Sequence, residues 1–463
     1  MNTYMNNSKN LNYLYYLKYY IGMFLRFFKI FAILINEYIK FNFTNWIYKI
    51  KNLPPPTGVL LVSNIANKLE EINIVYLKIF QSLCINKDFL NEEQKNFLLK
   101  YTDNVPFKSS DIDYEILDSL EKKYNIRLDI SEPLNSGIVS IVFKGIYGND
   151  SNKVVIKVLK NNIQERLESV FFELEFLCKL LKYIPYVKSL HLDAILIDNK
   201  ELLLNQTDFI KEVDNIKHFK NKNKNMKEFR IPLVYDDITD EFNNVIVMEN
   251  ITGLKYCDVE KLDKSIQNEF GKLILKFGYV SVLYNNALHC DLHPGNIFFY
   301  INEDNENNED NEDNDLPKYQ LGLIDFGIVT FPCKKNQNTY YNFINTIFVK
   351  KNCKNCLDSS IKYIIEPIET YNNISDNDKK KMEENIISYF TSYFDKDDSL
   401  QFIFDITRCL DVHNLRLSEE ANKVFLSIQI ANNLAVNLCD DIKTQQVEVF
   451  NQMNNINKLL SIE

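Results

Sequence analysis

Short apolar runs rich in β-branched residues occur between residues 126 and 159 and predict β-strands. The runs cover residues 126–130, 138–144 and 154–159, and each alternates or stays apolar over four to seven positions. Runs of this length and composition are typical of strands rather than helices. The pattern predicts a small β-rich region over these residues.

The second half of the chain shows helical periodicity instead. Between Lys261 and Leu288 the apolar residues recur every three or four positions, which places them on one face of a helix. Further helices are expected at residues 338–350, 359–365, 378–393 and 418–438, the last with Ser418 as its N-cap. Residues 251–463 are therefore expected to be mainly helical.

One segment in this half breaks the pattern. Residues 302–315 contain eight Asp or Glu residues and otherwise only Asn. Such a composition has no apolar side chains with which to form a core, so we expect this acidic insert to be disordered.

The N-terminal segment, residues 1–53, is aromatic and apolar, with cations but no acidic residue before Glu37. Its densest part is about 17 residues long, short of a comfortable membrane span. Three interpretations stay open: an amphipathic helix on a membrane surface, an acid-poor organelle-targeting segment, or a helix packed on the domain. In the first, the inserted side chains would be Phe24, Phe27, Phe28 and Phe31. A proline run at Pro54 to Pro56 ends any helix that precedes it.

Charge and cysteine content limit the partners. The chain has 463 residues and a formal net charge of -10, so no basic excess is available for a general nucleic-acid binder. Nine cysteines are scattered apart from Cys353 and Cys356, and no second pair completes a zinc site. This usage favours reduced thiols in an intracellular protein, with membrane association and the organelle left open.

The strongest chemical signal is His289-Cys290-Asp291-Leu292-His293-Pro294-Gly295-Asn296, followed by Leu323-Ile324-Asp325-Phe326-Gly327. It combines a carboxylate, an amide five residues later, and a second carboxylate before a Phe-Gly turn. These groups are what a phosphoryl-transfer site needs to hold Mg2+ on a nucleotide. The protein kinase signature has the same spacing. Asp291 would be the catalytic carboxylate, with Asn296 and Asp325 as metal ligands.

This string resembles the UbiB/ADCK family of atypical kinases, whose pattern is H-x-D-x-H-P-G-N and then D-F-G. Typical protein kinases have Lys where this chain has His293, a position that touches the transferring phosphate. The resemblance implies an α+β, bilobal protein-kinase-like fold. Its parts would be a helical N-terminal extension at residues 60–110, a small β-rich N-lobe at 111–250 and a helical C-lobe at 251–463.

The same resemblance assigns residues that bind ATP. Lys157, ending the strand Val154 to Lys157, would pair with the α- and β-phosphates, and Glu212 would be its partner, with Glu173 and Glu175 as alternatives. The phosphate loop would include Ser136 and Gly137, where a single Gly stands in place of several. The adenine hinge would be formed by Met248, Glu249 and Ile251.

The family's regulatory K-x-G-Q extension has a counterpart in Lys78 and Gln81, with Phe80 in place of the Gly. In the family its Lys meets an acidic motif over the nucleotide site. Here Asp208 matches that motif, while Gln206 replaces its other acidic residue.

The function implied is Mg2+-dependent ATP binding with hydrolysis, or phosphoryl transfer to a small-molecule or lipid acceptor of unknown identity, in support of coenzyme Q or other lipid metabolism. Two alternatives stay open. One is a catalytically weak pseudokinase acting as a nucleotide- or lipid-binding scaffold, and the other is a protein kinase. Against the latter, no A-P-E motif follows Asp325.

Overall fold

The computed structural model describes residues 2–54, 58–78, 80, 92–99, 105–148, 152–181, 192–302, 316–348, 361–393 and 401–460. Gln81, the Cys353 and Cys356 pair, and the acidic insert apart from Asn302 lie outside these residues. The chain divides into two compact units, Met1–Asp208 and Phe209–Glu463.

The first unit combines helices with four antiparallel strands. The predicted strands are confirmed, and β3 pairs with β1, β2 and β4. Its elements are α1 (Asn2–Ile50), α2 (Gly58–Ile72), α3 (Glu92–Leu99), α4 (Tyr114–Tyr124), β1 (Ile126–Asp129), β2 (Asn135–Ser136), β3 (Ser140–Tyr147), β4 (Asn152–Leu159), α5 (Ile163–Leu181) and α6 (Leu192–Asn205).

The core of this unit joins the N-terminal extension to the helices that follow β4. In α2 the buried positions recur every three or four residues, so the helix presents one apolar face. That face packs in one hydrophobic cluster with residues 74–77 and with buried positions of α5 and α6. The predicted helical extension therefore shares its core with α5 and α6.

Helix α1 packs on the first unit through one face. Ile30 and Leu34 contact the hydrophobic cluster, and Arg26 donates from Nε to the Glu173 carboxylate at 2.9 Å. Lys68 of α2 pairs with the buried Glu37. This face of α1 therefore packs on the first unit. Within the described residues, no helix combines the length and apolar character needed to cross a membrane.

The second unit is mainly helical, with short strands. Its first half contains α7 (Phe209–Lys222), β5 (Phe229–Arg230), α8 (Asp236–Glu241), β6 (Val245–Glu249), α9 (Tyr256–Val259), α10 (Lys264–Leu283), β7 (Leu288–His289), β8 (Ile297–Ile301), β9 (Tyr319–Leu323) and β10 (Val329–Thr330). Its second half contains α11 (Gln337–Phe348), β11 (Ile365–Glu366), α12 (Ile368–Asn373), α13 (Asp376–Tyr393), α14 (Gln401–Asp411), β12 (Arg416–Leu417), α15 (Glu419–Val436) and α16 (Ile442–Leu460).

Helix α10 forms the centre of this unit, as its apolar periodicity predicts. A Cβ on Gly278 would lie 2.6 Å from the Cβ of Ala431 in α15, so only glycine allows this close approach. Helix α15 begins at the predicted cap, where the Ser418 side chain accepts a hydrogen bond from Ala421 N at 3.2 Å.

The fold class is α+β, as the sequence predicts. One predicted helix is wrong. In place of a helix over residues 359–365, the described part is a single turn at Ile361–Tyr363 followed by β11, which pairs with β12. Ile361, Ile364 and Ile365 are buried here, and Ile365 pairs with Leu417 of β12. The local sequence pattern did not distinguish this arrangement from a helix.

Candidate active site

The β8–β9 hairpin brings the two predicted metal ligands to the same end of one structural element. Ile297 at the start of β8 pairs with Leu323 at the end of β9. Asn296 directly precedes β8, and Ile324 N donates to the Asn296 carbonyl at 3.1 Å. Asp325 follows Ile324. The antiparallel register therefore sets Asn296 beside the turn that carries Asp325.

Local hydrogen bonds orient the side chains of both predicted ligands. The Asn296 Nδ2 donates to the Asp291 carbonyl at 3.0 Å, so the amide oxygen is the atom that a metal ion would contact. The Asp325 Oδ1 accepts from Gly327 N at 2.9 Å. Carboxylate and amide oxygens suit Mg2+, which keeps several waters or phosphate oxygens as its other ligands. The part of the chain that the structure describes holds no group of three or more His, Cys, Asp or Glu suited to a metal.

Asp291 and His293 lie next to this pair. The Nδ1 of His293 accepts a hydrogen bond from Gly295 N at 3.1 Å, so the ring proton resides on Nε2. That Nε2 faces the Asp291 carboxylate at 4.0 Å, and both side chains are more than a third exposed. The catalytic loop thus presents a carboxylate and an N–H donor to solvent on the same side.

His289 connects the catalytic loop to the Asp325 turn. Its Nε2 donates to the Asp325 carbonyl at 2.6 Å. The ring is fully buried among Phe219, Phe277 and Phe326. Burial lowers the pKa of His289 below its ordinary value, although Asp325 and Asp291 act in the opposite direction. The imidazole is therefore neutral at pH 7 and serves as a structural donor.

Helix α7 supplies a second contact to the same turn. Glu212, Asn215 and Phe219 are buried on one face of this helix. Asn215 Nδ2 donates to the Phe326 carbonyl at 2.9 Å. The sequence interpretation assigned no role to Asn215, although its position three residues after Glu212 puts both on one helix face. This spacing is the signal that could have identified it.

The Glu212 carboxylate lies beside the Asp-Phe-Gly turn. A Cβ placed on Gly327 would be 3.4 Å from Glu212 Oε2 and 3.3 Å from Asp325 Oδ1. Two carboxylates therefore border the same glycine. This arrangement brings together five predicted site residues of the second unit: Glu212, Asp291, His293, Asn296 and Asp325.

The predicted adenine hinge lies at the end of β6. Met248 is buried and bridges to Val234. Ile251 is also buried, and its Cγ2 would be 3.1 Å from a Cβ on Gly322. Gly322 thus lets the hinge pack closely on β9.

The Glu249 side chain is occupied by protein contacts. Its carboxylate accepts from Arg230 Nη2 at 2.8 Å and from Leu233 N at 3.2 Å. Burial alone would raise the pKa of Glu249, but these hydrogen bonds outweigh it and hold the pKa below its ordinary value. The carboxylate is structural, and the backbone N of Glu249 donates to the Leu233 carbonyl at 2.7 Å.

The remaining predicted nucleotide residues belong to the first unit. Lys157 is largely buried in β4, opposite Val142 of β3. Ser136 is buried, with its hydroxyl donating to the Gly137 carbonyl at 3.4 Å, and Gly137 N donates to the Ser140 carbonyl at 2.9 Å. These residues share the β2–β4 sheet, and their meeting with a nucleotide stays a prediction.

The two alternative partners of Lys157 have other contacts. Glu173 accepts from Arg26 and from the Tyr76 hydroxyl, and Glu175 pairs with Lys200 at 2.7 Å. Their carboxylates hold the helices of the first unit together. Of the predicted regulatory residues, Lys78 lies in the helical residues 74–78 and Asp208 is exposed at the end of the unit.

Comparison with known proteins identifies the class. The model of the ABC1 atypical kinase-like domain matches residues 102–360, more than half of the chain. The chain belongs to this family, which confirms the resemblance to UbiB/ADCK-type atypical kinases.

Curated relatives align with the same region. A protein named "Probable protein kinase UbiB" from Shewanella sp. (strain MR-4) is 26% identical over 241 residues, covering 50% of this chain and 43% of the relative. An "Uncharacterized protein in hydrogenase 1 5'region" from Clostridium pasteurianum is 29% identical over 252 residues, covering 52% and 46%. The alignments thus span less than half the length of these relatives.

A solved structure is also similar. It is titled "The complex structure of Rv3197-erythromycin from Mycobacterium tuberculosis", and it covers 84% of this chain and 96% of its own, with 16% identity and a TM-score of 0.47.

Proposed function

We propose that this protein binds ATP with Mg2+ and either hydrolyses it or transfers its terminal phosphoryl group to a small molecule or lipid. The observation that carries this proposal is the β8–β9 hairpin, which holds Asn296 and Asp325 at one end. A pair of oxygen ligands beside an exposed carboxylate fits phosphoryl transfer, in which positioning and electrostatic stabilisation supply most of the catalysis.

Each residue has a role in this proposal. Asn296 and Asp325 hold Mg2+, which when bound neutralises charge on the phosphates. Asp291 orients the attacking hydroxyl or water and accepts its proton. The Nε2–H of His293 would donate to an oxygen of the transferring phosphate. Lys157 orients the α- and β-phosphates, and backbone groups from Glu249 to Ile251 receive the adenine.

The acceptor is proposed from the family resemblance and from one feature of the chain. After Asp325 the sequence proceeds into helices without the A-P-E motif that accompanies a protein-substrate platform. This favours a small-molecule or lipid acceptor, and the family resemblance favours a place in coenzyme Q metabolism.

The test is thermal unfolding with ATP or ADP, with and without Mg2+, on the wild type, Asp325→Asn and Asp376→Asn. Asp376 has a fully exposed side chain and serves as the matched control. We expect a Mg2+-dependent stabilisation in the wild type and the control that Asp325→Asn abolishes, because a ligand stabilises the state that binds it. No stabilisation at millimolar nucleotide would overturn the proposal.

A pseudokinase scaffold is the second candidate, favoured by the phosphate loop. The Ser136 hydroxyl is directed to the Gly137 carbonyl, and the loop has one glycine where close backbone approach to phosphate calls for several. ATP hydrolysis that disappears in Asp291→Asn would exclude this candidate. Nucleotide binding without turnover or transfer would favour it.

A further inference from the structure

Helix α1 has a second apolar face that the first unit does not cover. Between residues 21 and 50, eleven large apolar side chains are 42–65% exposed. At 100° per residue they fall within a sector of about 140° around the helix axis. We call this set the outer stripe: Ile21, Phe24, Leu25, Phe28, Phe31, Ile35, Tyr38, Ile39, Phe43, Trp46 and Ile50.

The opposite face fixes the direction of the stripe. Met23 is buried, and Ile30 and Leu34 pack against the hydrophobic cluster of the first unit. Ion pairs from Arg26 to Glu173 and from Lys68 to Glu37 hold the same side. Turning the stripe inward would break both pairs. It is therefore a persistent surface about 45 Å long at 1.5 Å per residue.

The charges beside the stripe are positive. Lys29, Lys40 and Lys49 are exposed on this helix. Glu37 is the only acidic residue between positions 21 and 50. It is buried, and hydrogen bonds from Lys68 and Lys40 hold the pKa of its carboxyl below the ordinary value. The exposed rim thus carries cations without exposed acidic side chains.

We propose that the outer stripe docks on the surface of a lipid bilayer that contains anionic headgroups. Aromatic side chains such as Trp46, which stacks on Phe43 at 5.7 Å, favour the interface between headgroups and acyl chains. Lysines beside an apolar face add attraction to anionic lipid. Since the inner face is covered by protein, the helix lies along the surface.

Charge decides between lipid and a second copy of the chain. Two outer stripes packed together would bring their lysine rims close without acidic partners, which is repulsive. Anionic headgroups would neutralise the same rim. A bilayer is therefore the occupant that the charges favour. This inference is independent of the proposed nucleotide function.

Trp46 permits a direct test, because it is the only tryptophan in the chain. The full chain is mixed with phosphatidylcholine vesicles, with or without phosphatidylglycerol, and its emission and flotation are measured. We expect a blue shift, quenching by lipids brominated on their acyl chains, and flotation that is stronger with phosphatidylglycerol. Unchanged emission without flotation would overturn the proposal.

Variants distinguish vesicle binding through the outer stripe from nonspecific adhesion of the protein to vesicles. Phe28→Asp with Ile39→Asp should lower the vesicle partition coefficient by about tenfold or more, because charges would replace two inserted apolar side chains. Tyr363→Asp with Val412→Asp alters two side chains that are 50% and 75% exposed elsewhere, and should float like the wild type. Circular dichroism confirms that each variant is folded.

A charge-reversal variant and the oligomeric state test the proposal further. Lys29→Glu with Lys49→Glu should weaken flotation with phosphatidylglycerol more than with phosphatidylcholine alone. Equal flotation of the stripe variant and the wild type would refute the proposal. So would a wild-type dimer that the stripe variant converts to monomer and that does not bind vesicles, because a second copy would then be the occupant.

Discussion

The imidazole of His289 and the backbone carbonyl of Asp325 are joined by a hydrogen bond of 2.6 Å. This bond links the start of the predicted catalytic loop to Asp325, the second predicted metal ligand, although the two residues are 36 positions apart. With Asn215 holding the next carbonyl, Phe326, the Asp325 turn is fixed from two directions. The position of one carboxylate thus depends on buried groups that do not themselves touch a nucleotide.

His289→Phe tests this link. The ring volume is retained, but the Asp325 carbonyl loses its donor in a buried site. We expect a loss of about 1–3 kcal/mol in the free energy of unfolding, as for other buried groups left unsatisfied. Urea denaturation measures this loss, and His413→Phe, at a half-buried histidine elsewhere, is the control. An unchanged unfolding midpoint for His289→Phe would show that the hydrogen bond contributes nothing.

Gly327→Ala tests the space between the two carboxylates. The added Cβ would lie 3.3 Å from Asp325 Oδ1, closer than ordinary van der Waals contact, and 3.4 Å from Glu212 Oε2, at the limit of that contact. We expect nucleotide affinity in the presence of Mg2+ to fall by about tenfold, with a small change in stability, because the Asp325 carboxylate must shift by a few tenths of an ångström. Calorimetric titration measures the affinity. Gly148→Ala probes a glycine with open space but a positive φ of 71°, so its cost should appear in stability and not in affinity. Wild-type affinity in Gly327→Ala would contradict the prediction.

Glu173 and Arg26 provide a test of the contact between α1 and the first unit. Removing Arg26 leaves a buried carboxylate whose remaining donors are neutral groups such as the Tyr76 hydroxyl. We expect Arg26→Met to destabilise the protein by about 1–3 kcal/mol, and Arg26→Met with Glu173→Gln to recover part of that loss. Denaturant unfolding of the wild type, both single variants and the double variant gives the coupling energy. Strict additivity of the two single effects would show that the pair is not coupled.

Lys160 should make the free energy of unfolding vary with pH in the alkaline range. Its side chain is buried, and burial lowers its pKa from 10.5 to about 8, against the attraction of Asp111. In that interval the unfolded chain binds more protons than the folded one, so stability increases as pH rises from about 8 to about 10.5. Lys160→Met should remove this increase and stabilise the protein at neutral pH by about 1–3 kcal/mol. Urea unfolding at about pH 7 and about pH 9.5 tests the sign, with Lys153→Met, at an exposed lysine of β4, as control. A wild-type pH dependence in Lys160→Met would refute the assignment.

The sequence was most informative where function depends on residues close together in the chain. Asp291, His293 and Asn296 fall within six positions, and their geometry follows from one loop and the strand after it. The Asn215 side chain donates to the backbone carbonyl of Phe326, which is 111 positions away. The sequence pattern does not indicate such a contact, because a residue of any type has a backbone carbonyl. Long-range contacts of this kind could not be read from one sequence.

The N-terminal helix shows a different limit. Its apolar residues occupy two opposed faces, one covered by the first unit and one exposed. A helix with apolar residues on both sides shows little difference in hydrophobicity between its faces. The sequence pattern therefore could not decide between packing on the domain and membrane contact. The structure assigns packing to one face and leaves the other available.

Asn302 follows β8 and is hydrogen-bonded to the residues that precede β9. Asn302 N donates to the Lys318 carbonyl at 2.8 Å, and its side chain donates to the Pro317 carbonyl at 2.6 Å. These bonds close the β8–β9 hairpin at the end opposite Asn296 and Asp325. The register of β8 and β9 is thus set by residues outside 303–315. Insertions and deletions between residues 303 and 315 can therefore accumulate in a lineage without moving the predicted metal ligands. A reporter tag can be inserted between the same residues.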